Sequence, residues 1–265
     1  MREKREAADG PHDVVKDYWQ KRYERKFSIG SSGHISFNEK YNSYVYRAYE
    51  RALRTALARY VGPRVGRVFD VGSGTGYWVE FYEKAGASEI FGVDLTEISV
   101  ERLRKLYPRH AFALADIGSA TFIPDRRYDI VNCFDVLYYI TDEKAFRIAL
   151  SSLSRALTED GVMFITDKFV DEKPTHPPFY FLFRDEAKYQ EALNDAGLVC
   201  LDIIPVNHLL KKPIPFPAAY SFVKWQLSKL RIDLEGLIGA LLYRIDPLFM
   251  NPDKSEIKLM VVRHR

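Results

Sequence analysis

The chain has 265 residues, 47% hydrophobic and 14% aromatic, enough to bury a large core in one domain with appendages. Its charged residues, 28% of the total, nearly cancel to a formal net charge of +3, so no nucleic acid partner is expected from the whole-chain field, and only a local basic face stays open. The first residues, MREKREAADGPHD, lack the apolar segment of a secretory signal, and even the apolar stretch LEGLIGALLYRI carries Glu235 and Arg244, so neither export nor a bilayer span of roughly 20 apolar residues is expected.

Residues 12–61 read as largely helical on either side of the loop SIGSSGHISFNEKYN, and they are crowded with tyrosines. From Val68 onward, short apolar strands alternate with longer helical patterns, which predicts a sheet covered by helices on both faces. The strands are RVFDV, EIFGVD, AFALAD, YDIVNCF, GVMFITD, LVCLDIIPV and the closing EIKLMVVRHR. Between them, YWVEFYEKAG, EISVERLRKLY, EKAFRIALSSLSRALTEDG and RDEAKYQEALNDAG repeat apolar residues at three and four. The fold class is therefore α/β, a doubly wound and mostly parallel seven-stranded sheet. Residues 1–61 would form a helical cover, 62–206 the core and 255–265 its last strand. Residues 207–254 hold two apolar helical stretches, YSFVKWQLSKL and LEGLIGALLYRIDPLFM, and would form a helical insertion far longer than an ordinary connection. Cys133 and Cys200 are the only cysteines, and both lie in apolar runs, as expected of core thiols in a reducing, cytoplasmic compartment.

The stretch VFDVGSGTGYW raises the question of a ligand, because a glycine-rich turn between strand and helix lets one approach the backbone. A dinucleotide fingerprint needs glycines at the first, third and sixth positions. Here they are Gly72, Gly74 and Gly76, and the sixth position is Tyr77. No Lys-Ser or Lys-Thr pair follows, so a triphosphate loop fails as well. Acidic residues close three successive strands: Asp70, Asp94 in FGVDLTE and Asp116 in FALADIG. Their strand ends would line one crevice, which suits a donor-rich cationic ligand and repels a pyrophosphate. Taken singly, Asp94 could equally be a helix N-cap and Asp116 the start of a turn.

The run from Asp70 to Gly76, followed by Asp94, Asp116, YDIVNCFDVLYYI and LSSLSRALTEDGVMFITD, resembles the class I S-adenosylmethionine-dependent methyltransferases over about residues 66–168. The resemblance implies a Rossmann-like methyltransferase fold and S-adenosylmethionine as cofactor, released as S-adenosylhomocysteine, with no metal. It also implies roles for particular residues. Asp70, Gly72, Gly74 and Gly76 would hold the methionine part, and Asp94 the ribose hydroxyls with Leu95 beside it. Asp116 would take the adenine amino group, with Ile117 and Phe134 lining the cofactor site. An ammonium, a diol and an amine each suit a carboxylate acceptor inside a cleft.

The same resemblance places the methyl acceptor near Asn132–Tyr139 and Asp167. Where many small-molecule members carry a Glu-His or His-His pair, this chain has Tyr138 and Tyr139, which removes the usual histidine. Tyr138 would line an acceptor pocket or pack under the next helix. His34 is the other general-base candidate, in a loop that Asn38, Tyr41 and Tyr44 would help to close, and it reads equally as a solvent-exposed loop residue. His176, in DEKPTHPPFY, follows the fifth strand and reads either as a site residue or as part of a rigid linker. The expected function is methylation of a small apolar or aromatic metabolite at oxygen, nitrogen or carbon. The basic cluster KDYWQKRYERK argues for a protein or RNA acceptor instead, and the missing histidine pair for a non-catalytic cofactor-binding regulator. The 207–254 stretches would act as a lid, a homodimer interface or a peripheral membrane contact.

Overall fold

Near-continuous burial of residues 68–71, 130–134 and 161–167 sets one sheet between two helical layers. A computed structural model describes residues 11–119, 128–170, 180–210, 224–227, 229–251, 255 and 257–265. Its strands are β1 (Arg67–Val71), β2 (Glu89–Asp94), β3 (Ala111–Leu114), β4 (Tyr128–Phe134), β5 (Leu157–Lys168), β6 (Leu198–Asn207) and β7 (Ile257–His264), in the order β3-β2-β1-β4-β5-β7-β6. Strands β1 to β5 pair in parallel, and β7 runs antiparallel between β5 and β6. Because β1 has β2 on one side and β4 on the other, the chain reverses its direction of winding there, and the crevice opens at the C-terminal ends of β1 and β4.

The helices are α1 (Pro11–Arg25), α2 (Ile29–Ser32), α3 (Glu39–Tyr60), α4 (Tyr77–Lys84), α5 (Glu97–Leu106), α6 (Glu143–Ala156), α7 (Glu186–Asp195) and α8 (Leu234–Ile245). On one sheet face, Val68, Ile90, Ile130 and Phe164 pack with Leu53 and Ala56 of α3 and Val79 of α4. On the other, Phe69, Val131, Met163 and Ile165 meet Phe146 and Leu150 of α6 and Tyr189 of α7. In α3, Tyr41, Val45, Ala48, Tyr49, Ala52 and Ala56 are all buried, the three-and-four spacing of a core-facing stripe.

Three element boundaries differ from the sequence expectation. Helix α6 stops at Ala156 and does not run on to Gly161, because Leu157 turns extended and pairs with Tyr128 on β4, burying its side chain in the second core. The loop before α3 is shorter than the sequence suggests. A one-turn helix, α2, interrupts it, and Asn38 ends it by accepting a hydrogen bond from Tyr41 N at 2.8 Å. In the stretch before β7, α8 passes into a single 3-10 turn over Asp246–Leu248, where Pro247 cannot continue the α-helical ladder. The start of YSFVKWQLSKL and His176 lie outside the described residues. Cys133 is buried, Cys200 is partly so, and both are free.

Candidate active site

The turn after β1 is shaped by backbone that only glycine adopts cheaply. Gly72 and Ser73 donate their N–H groups to Val93 O at 2.8 and 3.0 Å, tying the turn to β2. Gly72, Gly74 and Gly76 have φ of 72°, 52° and 87°, all left-handed. At Gly72 a Cβ would also strike Val136 Cγ2 in the segment after β4, so the turns following β1 and β4 can touch only because this residue has no side chain. Gly76 serves a different purpose, since a Cβ there would stand 2.6 Å from Leu103 Cδ2 of α5. It allows close packing of α4 against α5 and is not part of the cavity wall.

A cavity of about 500 Å³ lies over the ends of β1, β2 and β4. Gly72, Gly74, Asp94, Leu95, Asp116 and Ile117 line it from the sheet side, and Phe134, Tyr138 and His34 complete the predicted residues that reach it. Asp94 is buried and already engaged: Oδ2 accepts from Gly74 N at 2.8 Å, and Oδ1 from Thr96 N at 2.9 Å and Thr96 Oγ1 at 2.7 Å. Burial nonetheless lifts its pKa above the ordinary aspartate value. A carboxylate offers about four acceptor positions, so this one both braces the glycine turn and keeps capacity for a ligand. Asp116 accepts from Gly118 N at 2.8 Å, and its Oδ2 lies 3.2 Å from His12 Nε2 on α1.

Asp70 sits behind the wall. It is fully buried, with Oδ1 accepting from Asn132 Nδ2 at 2.8 Å while Oδ2 has no hydrogen-bond partner among the described residues. Desolvation pushes its pKa up to about 6. Asn132 in turn accepts from the Tyr82 hydroxyl at 3.1 Å. Asp167, expected near the acceptor, is buried away from the cavity, where Lys168 N and the Tyr189 hydroxyl donate to it, and burial raises its pKa to about 7. Asn132 and Asp167 are thus supports of the sheet end and not cavity residues. His34 stands exposed at the rim, its Nδ1 accepting from Ser36 N at 3.2 Å.

On the far side of the cavity, sequence reasoning reached Tyr138 and Tyr139 but missed the rest. Tyr18 and Trp19 of α1, Tyr46 and Tyr49 of α3, and Tyr138 with Tyr139 of the 3-10 turn Leu137–Tyr139 form an aromatic wall. Trp19 meets Tyr139 edge-on at 5.9 Å, and the rings of Tyr138 and Tyr139 are 4.4 Å apart. Desolvation raises the pKa of Tyr46, Tyr49, Tyr138 and Tyr139, so they present neutral hydroxyls. Asp135, directly after β4, lines the same space with φ of 57°, a left-handed backbone unusual for a non-glycine residue. Bonds to Tyr49 and Thr166 hold it there. Its Oδ2 accepts from the Tyr49 hydroxyl at 2.7 Å, its Oδ1 from Thr166 Oγ1 at 3.1 Å, and its N–H donates to Thr166 O at 3.1 Å. The signal available in the sequence was the abundance of tyrosine in residues 12–61 and the acid in FDVLYY.

No group of three or more His, Cys, Asp or Glu residues able to hold a metal ion occurs among the described residues. No helix among them is long and apolar enough to cross a membrane.

Comparison with known proteins accords with this geometry. A family model described as a methyltransferase domain matches residues 41–201. An mRNA cap guanine-N(7) methyltransferase of Schizosaccharomyces pombe is 26% identical over 166 residues, 58% of this chain, which spans only 45% of that relative's length. Among solved structures, an S-adenosylmethionine-dependent methyltransferase of Leishmania major superposes with a TM-score of 0.67 at 14% identity, over 96% of this chain and 83% of the other. A Burkholderia thailandensis 1,6-didemethyltoxoflavin-N1-methyltransferase, solved with its substrate and S-adenosylhomocysteine, gives 0.53 at 16% identity, over 82% and 78%. The structural likenesses carry the fold and the family match carries the membership: the chain belongs to the class I S-adenosylmethionine-dependent methyltransferases, with S-adenosylmethionine as its cofactor.

Proposed function

We propose that the protein methylates a small acceptor with an apolar or aromatic body, at an oxygen or nitrogen that docks against Asp135. The observation that carries this reading is the aromatic wall that faces the hydrogen-bonded Asp135 carboxylate, inside a cavity of about 500 Å³, the size range of small-molecule sites. Bound S-adenosylmethionine supplies an electrophilic methyl group on a sulfonium. The chain's own residues then have to bind, align and exclude water. The cofactor fits the residues present. Asp70 keeps a buried carboxylate oxygen without a partner beside the glycine turn, where an ammonium would satisfy it. Asp94 and Asp116 stand at the next two strand ends. We assign the methionine end to Asp70, Gly72 and Gly74, the ribose to Asp94 and the adenine to Asp116 and Ile117, with Leu95 and Phe134 as apolar walls. Gly76 contributes indirectly, through helix packing.

Asp135 can accept a hydrogen bond from an O–H or N–H acceptor and take its proton, while Tyr49 fixes the carboxylate's orientation. A carbon acceptor has no such use for it. Tyr138 would stack on the acceptor. His34, at the exposed rim, is the second base candidate, and full turnover after His34→Ala would dismiss it. The α1 cluster that argued for a macromolecular acceptor is largely neutralised within the chain. Lys21 meets Asp17 at 2.5 Å, Lys26 meets Glu39 at 2.5 Å, and Lys16 meets Glu97 at 3.9 Å. A second reading, a guanine-bearing RNA end, draws on the yeast relative, because guanine is also a flat ring. Thermal shift with S-adenosylhomocysteine tests the cofactor, and mass spectrometry of ligands co-purified in the cavity tests the acceptor. A labelled-methyl transfer panel of phenols, amines and capped oligonucleotides separates the two readings. Transfer confined to capped RNA would overturn the first.

A further inference from the structure

Large apolar side chains exposed elsewhere in the described chain are scattered singly, as at Leu106, Leu114 and Leu201, and need no explanation. Residues 224–249 differ. Trp225, Leu230, Ile232, Leu237, Leu241, Leu248 and Phe249 are all exposed there, Leu237 at 61% and Leu248 at 81%. On α8 the inward side is taken by Glu235, Gly236 and Gly239, and Gly239 lies against Tyr41 and Tyr44 of α3. Leu237 and Leu241, one turn apart, point the other way.

Charge on this segment is sorted by sign. Lys224, Lys229, Arg231 and Arg244 are exposed, and Lys229 Nζ lies 3.4 Å from the ring centre of Trp225. The acids turn inward. Asp233 accepts from Asn38 Nδ2 and Gly236 N at 2.8 and 2.9 Å. Glu235, 1% exposed, accepts from Asn38 N at 2.8 Å and pairs with Lys224. Asp246 is fully buried, accepting from His208 N at 3.0 Å and Leu209 N at 2.5 Å. What faces outward is thus apolar and cationic, the combination that inserts leucine and tryptophan among acyl chains while lysine and arginine meet anionic headgroups. A second copy of the chain would bring the same cations against one another, which disfavours self-association through this face.

We infer that residues 224–249 form a docking face for an anionic lipid bilayer. The two bonds from Asn38 fasten this face to the loop that carries His34 and Ile35 to the cavity rim. Ile35 is itself 71% exposed. The inference stands apart from the acceptor chemistry, since it concerns a face outside the cavity.

The test is co-sedimentation of the full chain with vesicles of equimolar phosphatidylcholine and phosphatidylserine, against vesicles of phosphatidylcholine alone, with light scattering to give the oligomeric state. Binding to the anionic vesicles is expected to be at least about tenfold stronger and to weaken as salt is raised. It should fall by about tenfold or more in the Leu237→Asp, Leu241→Asp double variant, and also in Lys229→Glu, Arg231→Glu. All four side chains are exposed, so a retained thermal shift with S-adenosylhomocysteine confirms that the variants fold. Equal affinity for both vesicle types, or none for either, overturns the inference. So does a dimer that the leucine variant dissociates without vesicle binding.

Discussion

Asp70→Asn isolates the electrostatic cost built into the proposed cofactor end of the site. In the folded chain the Asp70 carboxyl is fully buried with one oxygen unpartnered, and its pKa rises from 3.8 to about 6. The sign follows from proton linkage. A raised folded-state pKa means that the native state binds the proton more tightly, so the favourable contribution is complete below about pH 4 and is lost as pH rises through 6. About two pKa units correspond to about 3 kcal/mol. Asparagine keeps the shape, and its oxygen still accepts from Asn132, but it does not titrate. The stability of the wild type relative to the variant should therefore fall by about 3 kcal/mol between pH 4 and pH 7. Urea unfolding across that range measures it. Asp167, with a pKa of about 7, titrates in both proteins and cancels in the difference. Saturating S-adenosylmethionine, whose ammonium would pair with the charged carboxylate, should flatten the difference, and its affinity should weaken by up to about tenfold per pH unit below 6. Parallel stability profiles for the two proteins, with or without cofactor, would refute both the raised pKa and the assignment of Asp70 to the ammonium.

Gly72→Ala puts a side chain on backbone with φ of 72° and into Val136. It should cost about 1–2 kcal/mol from backbone strain alone and weaken cofactor binding by more than about tenfold in calorimetry, through the displaced turn. An unchanged affinity would show that the two turns need not touch. Tyr49→Phe removes the hydroxyl that donates to Asp135. It should leave cofactor affinity within about twofold while lowering single-turnover methyl transfer by about 10- to 100-fold, the scale of a misoriented acid–base group. Equal losses in both measurements would mean that Tyr49 serves only packing. Asn38→Ala deletes the cap of α3 and the link to Asp233, for an expected loss of about 1–2 kcal/mol by urea unfolding. Asn38→Asp, which restores the cap acceptor but repels Asp233, should recover only part of it.

The sheet could be read from sequence because each strand is a short apolar run and each helix an amphipathic one, and both signals are local. The glycines were legible as a turn for the same reason, although sequence could not divide their labour. Gly72 and Gly74 face the cavity, whereas the role of Gly76 is fixed by Leu103, which lies 27 residues further along the chain. Where α6 gives way to β5 was not legible, because Leu157 continues the helical spacing and only its pairing with Tyr128 decides otherwise.

The two halves of the cavity differ in how far their residues are separated along the chain. Asp70, Asp94 and Asp116 stand at or just beyond the ends of three strands of one winding pattern, so a motif spread over about fifty residues would locate the proposed cofactor end. The acceptor end has no such pattern. Asp135 looks like any acid after a strand until its left-handed backbone and its bonds to Thr166 and Tyr49 are seen. Tyr46 and Tyr49 sit on a helix whose spacing speaks only of burial. Their turn toward Asp135 is set by how α3 lies on the sheet, with Ala52, Leu53 and Ala56 packed beneath it. On the proposed reading, a methyl acceptor would be recognised where α1, α3 and the segment after β4 converge. Such a surface can change its substrate through a few aromatic substitutions while the carboxylates at the strand ends stay fixed.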